Sequence, residues 1–220
     1  MTRRSGDEDL QAGFTMIELL VAMALIGVLM GIITTTVTGS KRSADTVRQV
    51  NNLNEEARLA LNRISRELRQ AKEVQSVSGS DGAAGLTFWV DFNGNGTVDP
   101  SASDPEELTY RWDGSRILLS AADTASTTVT QPILSGEVSA FRLDYRSSQY
   151  EYDCDGDGVT TWQELDDSSC GPVGNTVGNG NGLLDDGELV HVDSVVLTFS
   201  VLEGSRQQDY RTQIDLRNAQ

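Results

Sequence analysis

Residues 14–37 form an apolar run of 24 residues in which Glu18 is the one charged side chain. About 20 such residues span a bilayer as a helix, so this run excludes a purely soluble chain unless it is removed. A cleaved secretory signal has an apolar core of only about 7–15 residues and no charge inside its beginning. A carboxylate at membrane depth is costly unless paired, and marks function by default. No basic side chain lies nearby: Arg3 and Arg4 are followed by Asp7, Glu8 and Asp9, while Lys41, Arg42 and Arg48 lie beyond the run. Positive charge therefore does not orient the span cleanly. A cut after Gly13 would supply the missing cation as the amino group of Phe14. Phe14 and Glu18 would then stand at i and i+4 on one helix, about a turn apart. In a staggered bundle, Glu18 would instead meet the amine of a neighbouring copy.

The stretch Gly13-Phe14-Thr15-Met16-Ile17-Glu18-Leu19-Leu20-Val21-Ala22 resembles the processing and methylation motif of type IV pilins and type II secretion pseudopilins. The resemblance implies that a membrane prepilin peptidase cuts between Gly13 and Phe14 and methylates the new amine. It also implies that Glu18 neutralises the amine of an adjacent subunit in a filament. The implied partners are other pilins or pseudopilins, with the inner membrane holding the chain before assembly. The domain would face the periplasm and end in a periplasmic pseudopilus or an extracellular pilus.

Helical periodicity continues past the span. Val47, Val50, Leu53, Ala57, Leu61, Ile64, Leu68 and Ala71 recur at three- and four-residue steps, and no proline interrupts residues 14–75. After Gly79 and Gly85 the pattern alternates instead. Strands are expected at 86–92, 107–112, 115–120, 127–134, 138–145, 191–201 and 209–217. Asp113-Gly114 signals a hairpin, and the last two strands are expected to pair through residues 203–207. The predicted fold is α+β: a long N-terminal helix packed on an antiparallel β-sheet domain. The layout is a leader (1–13), a membrane or filament-core helix (14–37), its amphipathic continuation (38–75) and a globular domain (76–220). The strand order is similar to the pseudopilin J and minor pilin W branch of the superfamily.

Charge is concentrated in the globular part. Residues 1–75 hold ten of the 17 basic and nine of the 33 acidic residues, which leaves residues 76–220 at −17. Such a domain repels nucleic-acid phosphates and favours divalent cations, so no nucleic-acid partner is expected. Asp153, Asp155, Asp157, Gly158 and Glu164 match D-x-D-x-D-G-x5-E without a miss. This spacing points alternate carboxylates inward, lets the glycine turn sharply, and adds the Val159 carbonyl, a Thr161 hydroxyl or water, and a bidentate Glu164. Calcium is the cofactor expected there. The loop follows a strand rather than a helix, so it is EF-hand-like outside an EF-hand domain.

A second copy lies 24 residues on, with Asn179, Asn181, Leu183, Asp185 and Glu188 as ligands of a weaker site. Its first position is Val177, which cannot ligate through its side chain; Asn175 is a possible substitute. Paired loops of this kind also resemble dockerin repeats, although a strand-rich setting argues against that function. A third loop, Asp91, Asn93, Asn95, Thr97 and Asp99, begins the same way, and Asp104, Glu106 or Glu107 would have to close it. The acidic loops thus fall in 91–107 and 153–188. Cys154 and Cys170 enclose a loop that a disulfide would stabilise by roughly 3 kcal/mol outside the cytoplasm; in a reducing compartment they are two free thiols. A disulfide would clamp the loops before the ion arrives.

No G-x-S-x-G, Walker loop or dinucleotide fingerprint is present, and His191, the single histidine, lies in an alternating segment read as strand. Adjacent acids such as Asp166-Asp167 read as loop charge, and an enzyme is not expected. The expected function is that of a structural minor pilin or pseudopilin at or near a filament tip, priming assembly. The alternative is a calcium-dependent adhesive or ligand-binding tip subunit, and an ordinary membrane-anchored calcium protein would require Phe14 to be unprocessed. Mass spectrometry of the mature chain tests the starting point: the expected N-terminus is methylated Phe14, and any other start refutes the processing motif.

Overall fold

The computed structural model describes residues 14–79, 84–98, 100–101, 104–122, 128–174, 177–203 and 206–216. The processing position Gly13, with the leader before it, and the expected ligands Asp99 and Asn175 lie outside the described residues.

Helix α1 runs from Met16 to Arg69. It begins after Thr15, whose hydroxyl accepts the Glu18 amide at 3.3 Å. Through the apolar run the side chains are exposed, with Leu19, Met23, Ile26 and Ile33 each more than half accessible. This is the one described helix long and apolar enough to cross a membrane, with a mean hydropathy of 2.6 over its best window. Thr34 and Thr36 return their hydroxyls to the carbonyls of Met30 and Ile32 at 2.7 and 2.9 Å, so they carry no unsatisfied donor. Residues up to Val50 form one compact unit and residues from Asn51 a second.

In the second unit the last turns of α1 become one face of a core. Ala57, Ala60, Ile64 and Leu68 are buried at the expected three- and four-residue spacing. Val47, expected on the same stripe, is 59% exposed. The helix stops at Arg69, short of the expected residue 75. There Lys72 turns its amide to the carbonyl of Trp89, and strand β1 (Glu73–Ser78) begins. The chain had to leave the helix because Val74 is needed in the sheet, where it pairs with Phe88.

Strand β2 (Gly85–Trp89) pairs with β1 and is followed by a two-residue ladder, β3 (Pro100–Ser101) against β4 (Asp104–Pro105). Strands β5 (Glu107–Trp112) and β6 (Ile117–Ala122) form the expected hairpin. Its turn is wider than two residues, because the Asp113 carboxylate accepts the amides of Ser115 and Arg116 at 2.9 and 2.7 Å. With β7 (Thr128–Pro132) these give an antiparallel sheet ordered β1-β2-β5-β6-β7. A second antiparallel sheet is ordered β11-β10-β8-β9. It is built from β8 (Glu137–Ser147), β9 (Thr160–Thr161), β10 (Ser194–Glu203) and β11 (Arg206–Asp215). Strands β10 and β11 pair in unbroken register from Ser194↔Asp215 to Glu203↔Arg206, as expected of the terminal hairpin. The architecture is α+β.

Both sheets are tied to α1 by polar contacts as well as by the core. Tyr110 of the first sheet donates its hydroxyl to Glu67, which also pairs with Arg63 at 3.0 Å. Tyr210 of the second donates to Asn54. Glu56 receives the amide and hydroxyl of Ser135, at 3.1 and 2.6 Å, from the connection between the sheets. Gly136 lies so close that an added methyl group would stand 2.9 Å from Leu53. Truncating the buried end of this seam therefore leaves a cavity. Leu68→Ala is expected to cost about 3 kcal/mol by denaturant unfolding. Leu59→Ala, at a position 62% exposed, is expected to stay within about 0.5 kcal/mol.

Candidate functional site

Between β8 and β10 the chain makes no long strand. It builds instead β9, the short helix α2 (Trp162–Asp166), and the one-turn helix α3 (Asp186–Leu189). Each helix closes an acidic loop, and each is entered through a residue whose amide is held by a glutamate three residues later. Glu164 Oε2 accepts the Thr161 amide at 2.8 Å, and Glu188 Oε2 accepts the Asp185 amide at 2.8 Å. That capping arrangement places the twelfth residue of each loop over its interior.

In the first loop, Asp153 accepts the amides of Gly156 and Gly158, each at 2.9 Å. Asp155 accepts Asp157, and Asp157 accepts Val159, at 2.9 and 2.7 Å. Gly158 has φ of +86°, a left-handed conformation that a residue with Cβ resists. Glu164 Oε1 receives the amides of Cys154 and Asp155 at 3.0 and 3.4 Å. The result is a ring of inward carboxylates. Oxygens of Asp153, Asp155 and Glu164 lie within 4.8 Å of one another, with no basic side chain paired to them among the described residues. Cys154 and Cys170 are joined by a disulfide across this loop, the oxidised one of the two expected states.

The third loop repeats the arrangement. Asp91 accepts the Gly96 amide at 3.1 Å, Asn93 accepts Asn95 at 2.9 Å, and Asn95 accepts Thr97 at 2.8 Å. Glu106, fully buried, accepts the amides of Phe92 and Asn93 at 3.1 and 3.4 Å. These are the second and third positions of the loop, the same two that Glu164 holds in the first. Glu106, one of the three acids expected to close the third loop, thus holds the amides that Glu164 holds in the first, four residues later than the consensus spacing; the Asp104 side chain lies outside the described ones. The sequence could only offer the three, because the ladder of β3 and β4 takes up the extra residues.

In the second loop, Asn179 accepts the Asn181 amide at 2.9 Å and Asn181 accepts Leu183 at 2.7 Å. Val177 is partly buried against the core. Asp166 is not loop charge: it is buried, and its carboxylate accepts the amides of Asn181 and Gly182 at 3.0 and 2.8 Å. Asp167 is the exposed member of the pair and caps Ser169. The signal that could have separated them is helical phase, since Trp162, Leu165 and Asp166 share the buried side of α2. His191 lies in a turn ahead of β10 rather than in a strand, with Nδ1 2.9 Å from Gln149 Oε1. The turn follows from α3, whose carbonyls Glu188 and Leu189 bind the amides of His191 and Val192.

The two closing glutamates differ electrostatically. Burial alone would raise Glu164, but the Thr161 amide and hydroxyl, with the amides of Asp155 and Cys154, outweigh it and hold the carboxyl below the usual range. Burial raises Glu188 as well, and there the Asp185 amide is outweighed by the carboxylates of Asp185 and Asp166. Glu188 is pushed from its ordinary 4.5 up to about 7. A raised carboxyl favours folding while protonated: its contribution is complete below the unfolded value and is lost as pH rises through about 7. In chelator, the domain is expected to lose stability between about pH 4.5 and 7, and Glu188→Gln is expected to flatten that part of the profile in thermal unfolding at stepped pH.

At the other end of the chain, Phe14 is 84% exposed, and the Glu18 carboxylate has no partner among the described residues. A family model described as the prokaryotic N-terminal methylation motif matches residues 9–34, which contain both positions. No curated protein and no solved structure matches the chain. The matched motif is continued by a 54-residue helix and an antiparallel α+β domain, the arrangement that the resemblance to type IV pilins and pseudopilins implies.

Proposed function

We propose that the chain is a structural minor pilin or pseudopilin. It is cut after Gly13, methylated on Phe14, and assembled with related subunits at or near the tip of a type II secretion pseudopilus or a type IV pilus. The observation that carries this reading is the methylation motif with Glu18 inside the exposed apolar helix. A carboxylate in hydrocarbon needs a cation, and the amine of a neighbouring subunit supplies one at the same depth. Attraction of this kind is strong in a low-dielectric setting and sets the axial register between subunits. Leu19, Met23 and Ile26, exposed in the single chain, would be buried against other helices once the subunit leaves the bilayer.

The same proposal assigns the acidic loops to calcium, held in the first loop by Asp153, Asp155, Asp157, the Val159 carbonyl, Thr161 and Glu164. Support comes from the convergence of Asp153, Asp155 and Glu164 within 4.8 Å, a separation at which like charges repel and a divalent cation is attracted. The calcium would act as a structural clamp, fixing an otherwise irregular segment between β8 and β10. Calcium is abundant outside the cytoplasm, where the Cys154–Cys170 disulfide also belongs.

Two measurements test the proposal. Glu18→Val is expected to leave cleavage and methylation intact while removing the subunit from isolated filaments; normal incorporation of the variant overturns the assembly role. Calcium at about 100 times its dissociation constant stabilises a folded site by about 2.7 kcal/mol. That corresponds to a rise of roughly 5–10 °C in the melting temperature of a domain this size. The detergent-solubilised chain is expected to lose that increment in chelator, and Asp153→Asn is expected to abolish most of it; an unchanged melting temperature rules out a structural ion.

A further inference from the structure

The second loop lacks a ligand at its first position, where the consensus demands an acid and the chain has Val177. We propose that Asp166, eleven residues earlier on α2, fills that vacant position and completes a second divalent-cation site with Asn179, Asn181, the Leu183 carbonyl, Asp185 and Glu188. This rests on the calcium reading of the first loop and extends it to a ligand outside any consensus spacing.

The three loops share one internal relation: the amide of the sixth-position glycine points at the first-position carboxylate. Gly158 donates to Asp153 at 2.9 Å and Gly96 to Asp91 at 3.1 Å. In the second loop, the corresponding donor, Gly182, reaches Asp166 at 2.8 Å. The backbone has been brought there on purpose. Gly180 donates its amide to the Asp166 carbonyl at 2.6 Å. Gly178 packs so tightly on α2 that an added methyl group would stand 2.4 Å from the Leu165 carbonyl and 2.6 Å from that of Asp166. A side chain at 178 would lift the loop away from its replacement ligand.

A separate observation points to an ion. Glu188 is fully buried, and its Oε1 has no hydrogen-bond partner, although Oε2 is held by the Asp185 amide. A buried carboxylate oxygen left bare costs free energy unless something binds it. What surrounds Glu188 is more negative charge, from Asp185 and Asp166, rather than a donor. The side-chain amides of Asn179 and Asn181 donate to Asp185 at 2.6 and 3.0 Å, so the oxygen donors that calcium takes are gathered beside Glu188. Helix α2 then carries a ligand for each of two ions, Glu164 at its middle and Asp166 at its end.

Calorimetric titration of the detergent-solubilised full chain with calcium chloride tests this. Asp166→Asn is expected to remove one ion from the stoichiometry, or to weaken one binding step by at least about tenfold. Glu188→Gln is expected to remove the same ion, and the double variant no more than one. If Asp153→Asn alters binding while Asp166→Asn and Glu188→Gln leave it unchanged, this inference fails and the first-loop reading stands. If the wild-type chain binds no calcium, both fail. A readout on the wild type avoids dependence on variant folding: the side-chain carboxyl carbon of Asp166 is expected to shift in its NMR resonance on calcium addition, and a resonance that stays still while that of Asp153 moves overturns the proposal.

Discussion

One stripe on α1 organises the globular unit. Ala57, Ala60, Ile64 and Leu68 are all buried in the core that both sheets share. The first sheet reaches this stripe through Tyr110 and Glu67, and the second through Tyr210 and Asn54. Without the buried face of the helix, the inner faces of both sheets would lose their common partner. The polar anchors give direction to an otherwise non-directional burial, because a hydrogen bond, unlike apolar burial, depends on alignment.

The acidic segment between β8 and β10 depends on a different force. Trp162, Leu165, Leu184 and Leu189 anchor it to the core, while its loops take their shape from side-chain carboxylates accepting backbone amides. Asp153 does this for a glycine amide of its own loop, Asp166 does it from α2 for Gly182 of the second loop, and Asp91 repeats it in the loop after β2. Such loops satisfy their backbone while accumulating negative charge, which leaves them dependent on screening, protonation or a cation. The contrast between Glu164, held low by its amide donors, and Glu188, pushed up to about 7 among neighbouring carboxylates, is one motif met by two surroundings.

Much of this was legible along the chain. Periodicity of 3.6 residues located the buried stripe, and alternation located β2, β5 to β8, β10 and β11. The misreadings have physical causes. Residues 73–75 continue a helical pattern locally, yet the pairing of Val74 with Phe88 takes them into β1. His191 sits in a run that alternates like a strand, but the turn after α3 claims its amide first. Asp166 looked like one of two adjacent surface acids, because a helix as short as α2 shows its phase only through Trp162 and Leu165.

By itself, the sequence determined the N-terminal motif, with Glu18 four residues beyond Phe14, and the spacing of the first acidic loop. Those are short-range patterns, in which each residue's role depends on neighbours within a few positions. Only the tertiary structure decided that Glu106 reaches the amides of the third loop, and that Asp166 receives the Gly182 amide of the second. Both contacts bridge residues that the ladder of β3 and β4 and the turn after α2 bring together. Which carboxylate arrives is a matter of chain path and burial, and spacing alone does not encode it.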